Sequence, residues 1–167
     1  MMRALLEDRF KLRVHREMRQ MPVYALTVEH EGRFGPNLAL SKFDCDAYSK
    51  QRLAGGTPEE PMGANGKSWC RYPLDRRPGV ENDMRMAGPV RLLIERVQPF
   101  VDRPIVDTTG LSANVEWILT FGWGTNAPTD VPDLFTALQE QLGLKLMARQ
   151  APVDVLVIDH VEKPAPD

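Results

Sequence analysis

The sequence predicts a small α+β protein of duplicated helix–strand–strand units, and three observations predict it. Helical spacing and period-two strand patterns occupy both ends of the chain. The segment RQMPVYALTVEH (Arg19–His30) returns as RQAPVDVLVIDH (Arg149–His160) at a constant offset of 130, with six of 12 positions identical. Between these regular ends lies a stretch too rich in Gly and Pro for a long helix or strand. The 167 residues suit one compact domain overall. Lys plus Arg number 21 and Asp plus Glu 23, a net charge of −2 that gives no general attraction to nucleic acid.

Residues 1–30 form the first helix–hairpin unit. A helix runs to about Arg9, with Leu5, Leu6 and Phe10 on one face and Glu7, Asp8 and Arg9 opposite. No capping residue precedes it, so the chain reads as cut at its left edge, and any export signal would lie upstream. Strands follow at Lys11–Met18 and Val23–Glu29, with Pro22 at the mouth of the second, where a missing N–H is tolerated.

Residues 31–83 are a long irregular excursion. Eight of the 12 glycines fall between Gly32 and Gly88, and segments such as AGGTPEEPMGANG sustain no regular element. Both cysteines lie here. Cys45 and Cys70 are 25 positions apart and make no C-x-x-C motif. They are either two free thiols or one disulfide, and the disulfide needs an oxidising compartment.

Residues 84–163 read as a βαββαββ-like part. Met84 and Met86 suit a short strand, and Pro89 the first turn of a helix with an apolar stripe at Val90, Leu93, Ile94, Val97 and Val101. Pro104–Asp107 is a strand, Thr109-Gly110 a turn, and Val115, Trp117, Leu119 and Phe121 one face of a further strand. Asp133–Leu142 is a helix stopped by Gly143, followed by strands Leu144–Arg149 and Val153–His160 and a PAPD tail. Matching helices and strands precede the two copies of the repeated dodecamer. The repeat is then either a two-fold binding surface or a duplicated folding unit with no site of its own.

Little of the sequence carries chemistry. IVDTTG (Ile105–Gly110) resembles the apolar-apolar-Asp-Thr/Ser-Gly turn of aspartic proteases, whose mechanism needs two such turns sharing one proton. A second Thr separates Asp107-Thr108 from Gly110 and the chain holds no second copy, so an Asx or ST turn is expected instead. His15, His30 and His160 lack metal-ligand spacing, and His30 and His160 sit at equivalent strand ends, which suggests a shared structural role such as a cap. There is no G-x-S-x-G, P-loop or G-x-G-x-x-G. Arg71 beside Cys70 would lower a thiol pKa, but a disulfide partner is the preferred reading over a nucleophile. Trp117 and Trp123 read as one core and one loop tryptophan. Arg76-Arg77 is a lone basic pair, and no run approaches the roughly 18 apolar residues of a membrane span. No catalytic, cofactor-binding or metal-binding residue is assigned.

At LLEDRFKLRVHREMRQMPVYALTV, PIVDTTGL and LFTALQEQLGLKLMARQAPVDVLVIDHVEKP the chain closely resembles a soil-associated bacterial family of uncharacterised exported proteins. The resemblance implies a signal peptide upstream, a variable Gly/Pro-rich middle with cysteines, and no established activity. Relatives beside or fused to sensor-type membrane metallopeptidases imply a link to signalling. Residues 84–161 also resemble, in pattern, the short N-terminal domain of secretins and TonB-dependent receptors, which implies a periplasmic interaction module.

The resulting expectation is an exported, non-catalytic module that binds a protein or peptide of the cell envelope. Two lone cysteines in the loosest zone of an exported chain then favour a Cys45–Cys70 disulfide. The contact surface is expected at a strand edge or around Phe121 and Trp123. A homodimer stays open. The rivals are a hydrolase completed by an upstream region or a dimer partner, and a small-ligand binder.

Overall fold

The elements run α1 (Met2–Phe10), β1 (Arg13–Val28), β2 (Leu38–Leu40), α2 (Cys45–Leu53), β3 (Val80–Gly88) and α3 (Val90–Val97), which ends in a 3-10 turn at Gln98–Phe100. Then come β4 (Ile105–Asp107), β5 (Val115–Trp123), α4 (Leu134–Ala137), a π-helical turn at Leu138–Leu142, and β6 (Leu144–His160). The fold is mixed α+β, as the patterning predicts. The computed structural model describes residues 2–63, 66, 68–70, 80–125 and 127–164. Arg71 and the Arg76–Arg77 pair lie outside these.

Two expected hairpins are instead single long strands. β1 runs through Arg19-Gln20-Met21-Pro22 for 16 residues, and β6 through Arg149-Gln150-Ala151-Pro152 for 17. Neither junction holds the Gly, Asn or Asp that a tight turn requires, and Pro is at home in extended chain. Each copy of the repeat is therefore one helix and one strand. The chain divides into two compact units, Val23–Ala148 and Met1–Pro22 with Arg149–Asp167. The boundary falls within both long strands, so the compositional zones 1–30, 31–83 and 84–163 do not coincide with the units.

In Val23–Ala148, β5 is the central strand of an antiparallel sheet, between β2 (Leu38 opposite Trp117) and β3 (Met86 opposite Trp117). Its alternate residues Val115, Trp117, Leu119 and Phe121 are buried, against Leu93 and Val97 of α3 and Leu138 and Leu142 of the π turn. Strand β2 covers only the start of β5. Beyond it, other groups complete the ladder: Ile118 N–H donates to the Asn37 carbonyl (3.1 Å) and Gly122 N–H to the Pro132 carbonyl (2.9 Å). Between these, the Gln141 side chain accepts from Thr120 N–H (2.9 Å) and donates to Thr120 C=O (2.7 Å), acting as a one-residue strand. The second half of β1 pairs in parallel with β4, Tyr24 opposite Ile105 and Leu26 opposite Asp107, and just past its end Glu29 N–H donates to Gly143 C=O (2.9 Å).

The excursion is less irregular than expected. Asp44 caps α2, its Oδ1 accepting from the N–H groups of Asp46 (2.9 Å) and Ala47 (3.2 Å), and Lys50 pairs with Asp46 one turn earlier. The helix buries Cys45 and Tyr48. Cys45 and Cys70 form the expected disulfide, Cα to Cα 5.1 Å, which ties Trp69 and Cys70 against the core.

In the unit of Met1–Pro22 and Arg149–Asp167, the first half of β1 and the second half of β6 form a two-stranded ribbon. Phe10 C=O accepts from Glu162 N–H (2.8 Å), while His15 meets Asp159 and Arg16 meets Asp154, so the strands are antiparallel. Helix α1 reaches β1 through Lys11, in the left-handed region at φ 50. Gly143 takes the same conformation, φ 68, where the π turn reaches β6. Leu5, expected to face inward, is more than half exposed.

Candidate interaction surfaces

Strand β5 carries Phe121 and Trp123 to its far end, and the two have different fates. Phe121 is fully buried, its ring edge-on to Phe100 (centroids 5.0 Å, 87°). It therefore supports the surface from beneath and is not part of it. Trp123 is half-buried and meets the same Phe100 ring edge-on (5.3 Å, 88°). With Phe135, Val131 and Asp133 it lines a cleft of about 250 Å³. The Asp133 carboxylate there is already committed. It caps α4, accepting from the N–H groups of Phe135 (2.8 Å) and Thr136 (3.2 Å) and from the Thr136 hydroxyl (2.8 Å). Burial pushes this carboxyl up, but the Thr136 and Phe135 hydrogen bonds win and hold it below the usual range. The cleft offers an aromatic wall to an apolar group and no free acid or base.

The Asp107 turn takes the expected Asx form. Asp107 Oδ1 accepts from Thr109 N–H (2.9 Å) and from the Thr109 hydroxyl (2.8 Å). Thr108 locks β4 in place, because its N–H and its hydroxyl both donate to Leu26 C=O at 2.9 Å. Beside the turn lies an open cleft of about 430 Å³ lined by Thr27, Val28, Glu31, Phe34, Thr109 and Leu111. Among the described residues no group of three or more His, Cys, Asp or Glu side chains is placed to hold a metal ion.

His30 takes part through its backbone and His160 through its ring. His30 C=O accepts from Arg33 N–H (3.0 Å), whereas the His160 ring pairs with Glu162 (2.7 Å). The third histidine belongs to the ribbon's charged network. His15 Nδ1 lies 2.8 Å from Asp159 Oδ1 and Nε2 lies 3.6 Å from Glu17, which also pairs with Arg19. The hydrogen bond to Asp159 raises the His15 pKa above its ordinary value. A raised folded-state value means that the pair stabilises most fully below the unfolded histidine value, and this contribution fades as pH rises through the folded one. An NMR titration should place the His15 imidazole above the ordinary histidine range, and Asp159→Asn should bring it back. An ordinary midpoint in the unsubstituted chain would remove the pair from solution.

The ribbon and its flanks expose large apolar side chains. Leu5, Met18, Leu156, Ile158 and Val161, all in this unit, are each more than half exposed. Leu156 and Ile158 are two apart on β6 and so share one face. Sequence reasoning passed over both, although VDVLVID has apolar residues in both phases, a pattern that no half-solvated strand needs. No helix among the described residues is long and apolar enough to cross a membrane.

No curated protein and no solved structure shows a significant match to the chain. Residues 1–161 match one family model, described as a protein of unknown function, DUF3738.

Proposed function

Because the chain belongs to the DUF3738 family of unknown function, its role has to be read from its own surface, and we propose that it is an exported, non-catalytic module that binds a protein or peptide of the cell envelope. The observation that carries this is the ribbon: a sheet segment with an outer edge and large apolar side chains in water, the form in which strand-adding proteins receive partners. The disulfide supports export, since such a bond persists in oxidising compartments. The order β3–α3–β4–β5–α4–β6 supports kinship with the short N-terminal domain of secretins and TonB-dependent receptors, interaction modules of the periplasm. The Asp107 and Asp133 carboxylates are both held by local turns, which takes these two acids out of a hydrolytic reading.

A photo-crosslinking side chain placed at Met18 or Ile158 of the full chain should yield protein adducts in envelope extracts. The same group at Leu53, exposed on α2, should yield none. Equal labelling at all three positions would end the reading. So would turnover of a peptide, ester or glycan library that Asp107→Asn abolishes while the fold survives.

A further inference from the structure

We infer that the outer edge of β6 at Asp154–Leu156 accepts one extended peptide strand, added in parallel, with two apolar residues followed by an acidic one. This rests on the interaction reading above and names what the ribbon binds. The argument comes from the internal repeat. Tyr24, Ala25 and Leu26 of β1 correspond to Asp154, Val155 and Leu156 of β6 at the offset of 130. In Val23–Ala148 the first set carries β4 on its edge: Tyr24 N–H donates to Pro104 C=O (2.9 Å) and Leu26 C=O accepts from Thr108 (2.9 Å). Ile105, Val106 and Asp107 thereby lie parallel to β1, and Leu26 is completely buried. Among the described residues the corresponding edge of β6 carries no such strand, since β6 is the outer member of the order β4–β1–β6. The faces differ as well: Leu26 is 0% exposed in the hydrophobic core, and Leu156 is 59% exposed.

The edge also lacks the usual protection. Val153–His160 contains no Pro, Lys or Arg to discourage pairing. Its two acids are paired from β1, Asp154 with Arg16 and Asp159 with His15. What fits is what the repeat already binds, an apolar-apolar-Asp strand. A second copy of the chain is disfavoured as the occupant. Its own β4 is already paired and Ile105 is buried, and two β6 edges meeting about a two-fold axis would run antiparallel.

The probe is a synthetic peptide of this chain's Arg103–Leu111 sequence, RPIVDTTGL, titrated into the full protein. Saturable binding is expected, with new hydrogen-exchange protection confined to the backbone amides around Asp154–Leu156. Leu156→Lys should abolish it and Leu53→Lys should leave it unchanged. A ligand-side variant avoids any question of folding. The Val106 N–H lies on the same side as that of Thr108, two residues on, so a peptide N-methylated at the Val106 position should not bind. Absence of saturable binding, or binding indifferent to both changes, overturns the assignment. So does a concentration-dependent dimer that Leu156→Lys dissolves, or capture of Leu156 and Ile158 by phosphatidylglycerol vesicles in place of the peptide. If the peptide fails while crosslinks at Ile158 still form, the strand assignment falls and the interaction reading stands. If both fail, both fall.

Discussion

Replacing Gly35 with Ala should lower the unfolding free energy by about 4 kcal/mol, a large share of the roughly 5–15 kcal/mol that holds such a chain together. A Cβ at Gly35 would lie 2.4 Å from the Gln141 carbonyl oxygen and 2.7 Å from Gly143 N, and both are backbone atoms. A flexible side chain would swing away, but the end of the π turn cannot. Two hydrogen bonds depend on the same approach, Gly35 N–H to Leu142 C=O (2.9 Å) and Asn37 N–H to Gln141 C=O (2.8 Å). Each contributes about 1 kcal/mol, beyond an overpacking cost of about 1–3 kcal/mol. Gly143 shares the constraint, because its own Cβ would meet Gly35 N at 2.7 Å and its φ of 68 already disfavours a side chain. The control is Gly55→Ala. That glycine also has positive φ, 83, but open space around it, so only the conformational cost of about 1 kcal/mol applies. Urea unfolding of the two variants separates crowding from conformation. A Gly35→Ala loss no larger than that of Gly55→Ala would mean the crossing relaxes freely.

How much of this fold was legible in the sequence depended on whether the signal was local. Helix α3 and strand β5 carry their periodicities openly, and both formed close to where the spacing put them. The long strands did not read as single elements. Pro22 and Pro152 looked like boundaries, yet proline interrupts a strand only where its N–H is needed for pairing. Helix α2 was missed inside a zone judged by its Gly and Pro content, although Asp44 followed by Asp46 and Lys50 is a cap with an i,i+4 pair. The Gln141–Thr120 pairing was not readable at all, because a side chain replacing a strand leaves no mark in periodicity.

The candidate surface was legible only in kind. The expectation was a strand edge or the helix face near Trp123, and Phe121, named with it, proved to be core. The repeat alone marks Leu26 and Leu156 as equivalents. Only the structure shows that Leu26 is paired with β4 and buried in the core, while Leu156 is exposed. Duplication explains why Leu156 and Ile158 of VDVLVID stand in water: the segment keeps the composition of a strand whose counterpart is buried.

Loss of the Cys45–Cys70 bond should lower stability by about 3 kcal/mol, the loop-closure value for a separation of 25 residues. Reduction of the native chain and the double substitution Cys45→Ala with Cys70→Ala should agree. In both, the urea midpoint falls and the slope rises modestly, because the unfolded chain is freed to expand. Alanine is the better replacement, since Cys45 is buried in the hydrophobic core and serine would bring an extra hydroxyl there. The effect is expected to be global, not confined to the loop. Cys45 begins α2, the helix buries Tyr48 in the same core, and the bond holds Trp69 and Cys70 against it. Titration of the unreduced, denatured protein should find essentially no free thiol. This result also bears on location. A chain that draws about 3 kcal/mol from one disulfide is poorly suited to a reducing cytosol and well suited to an oxidising envelope. Two reactive thiols per chain, or an unchanged midpoint after reduction, would refute the bond as a stabilising element and withdraw the support it lends to export.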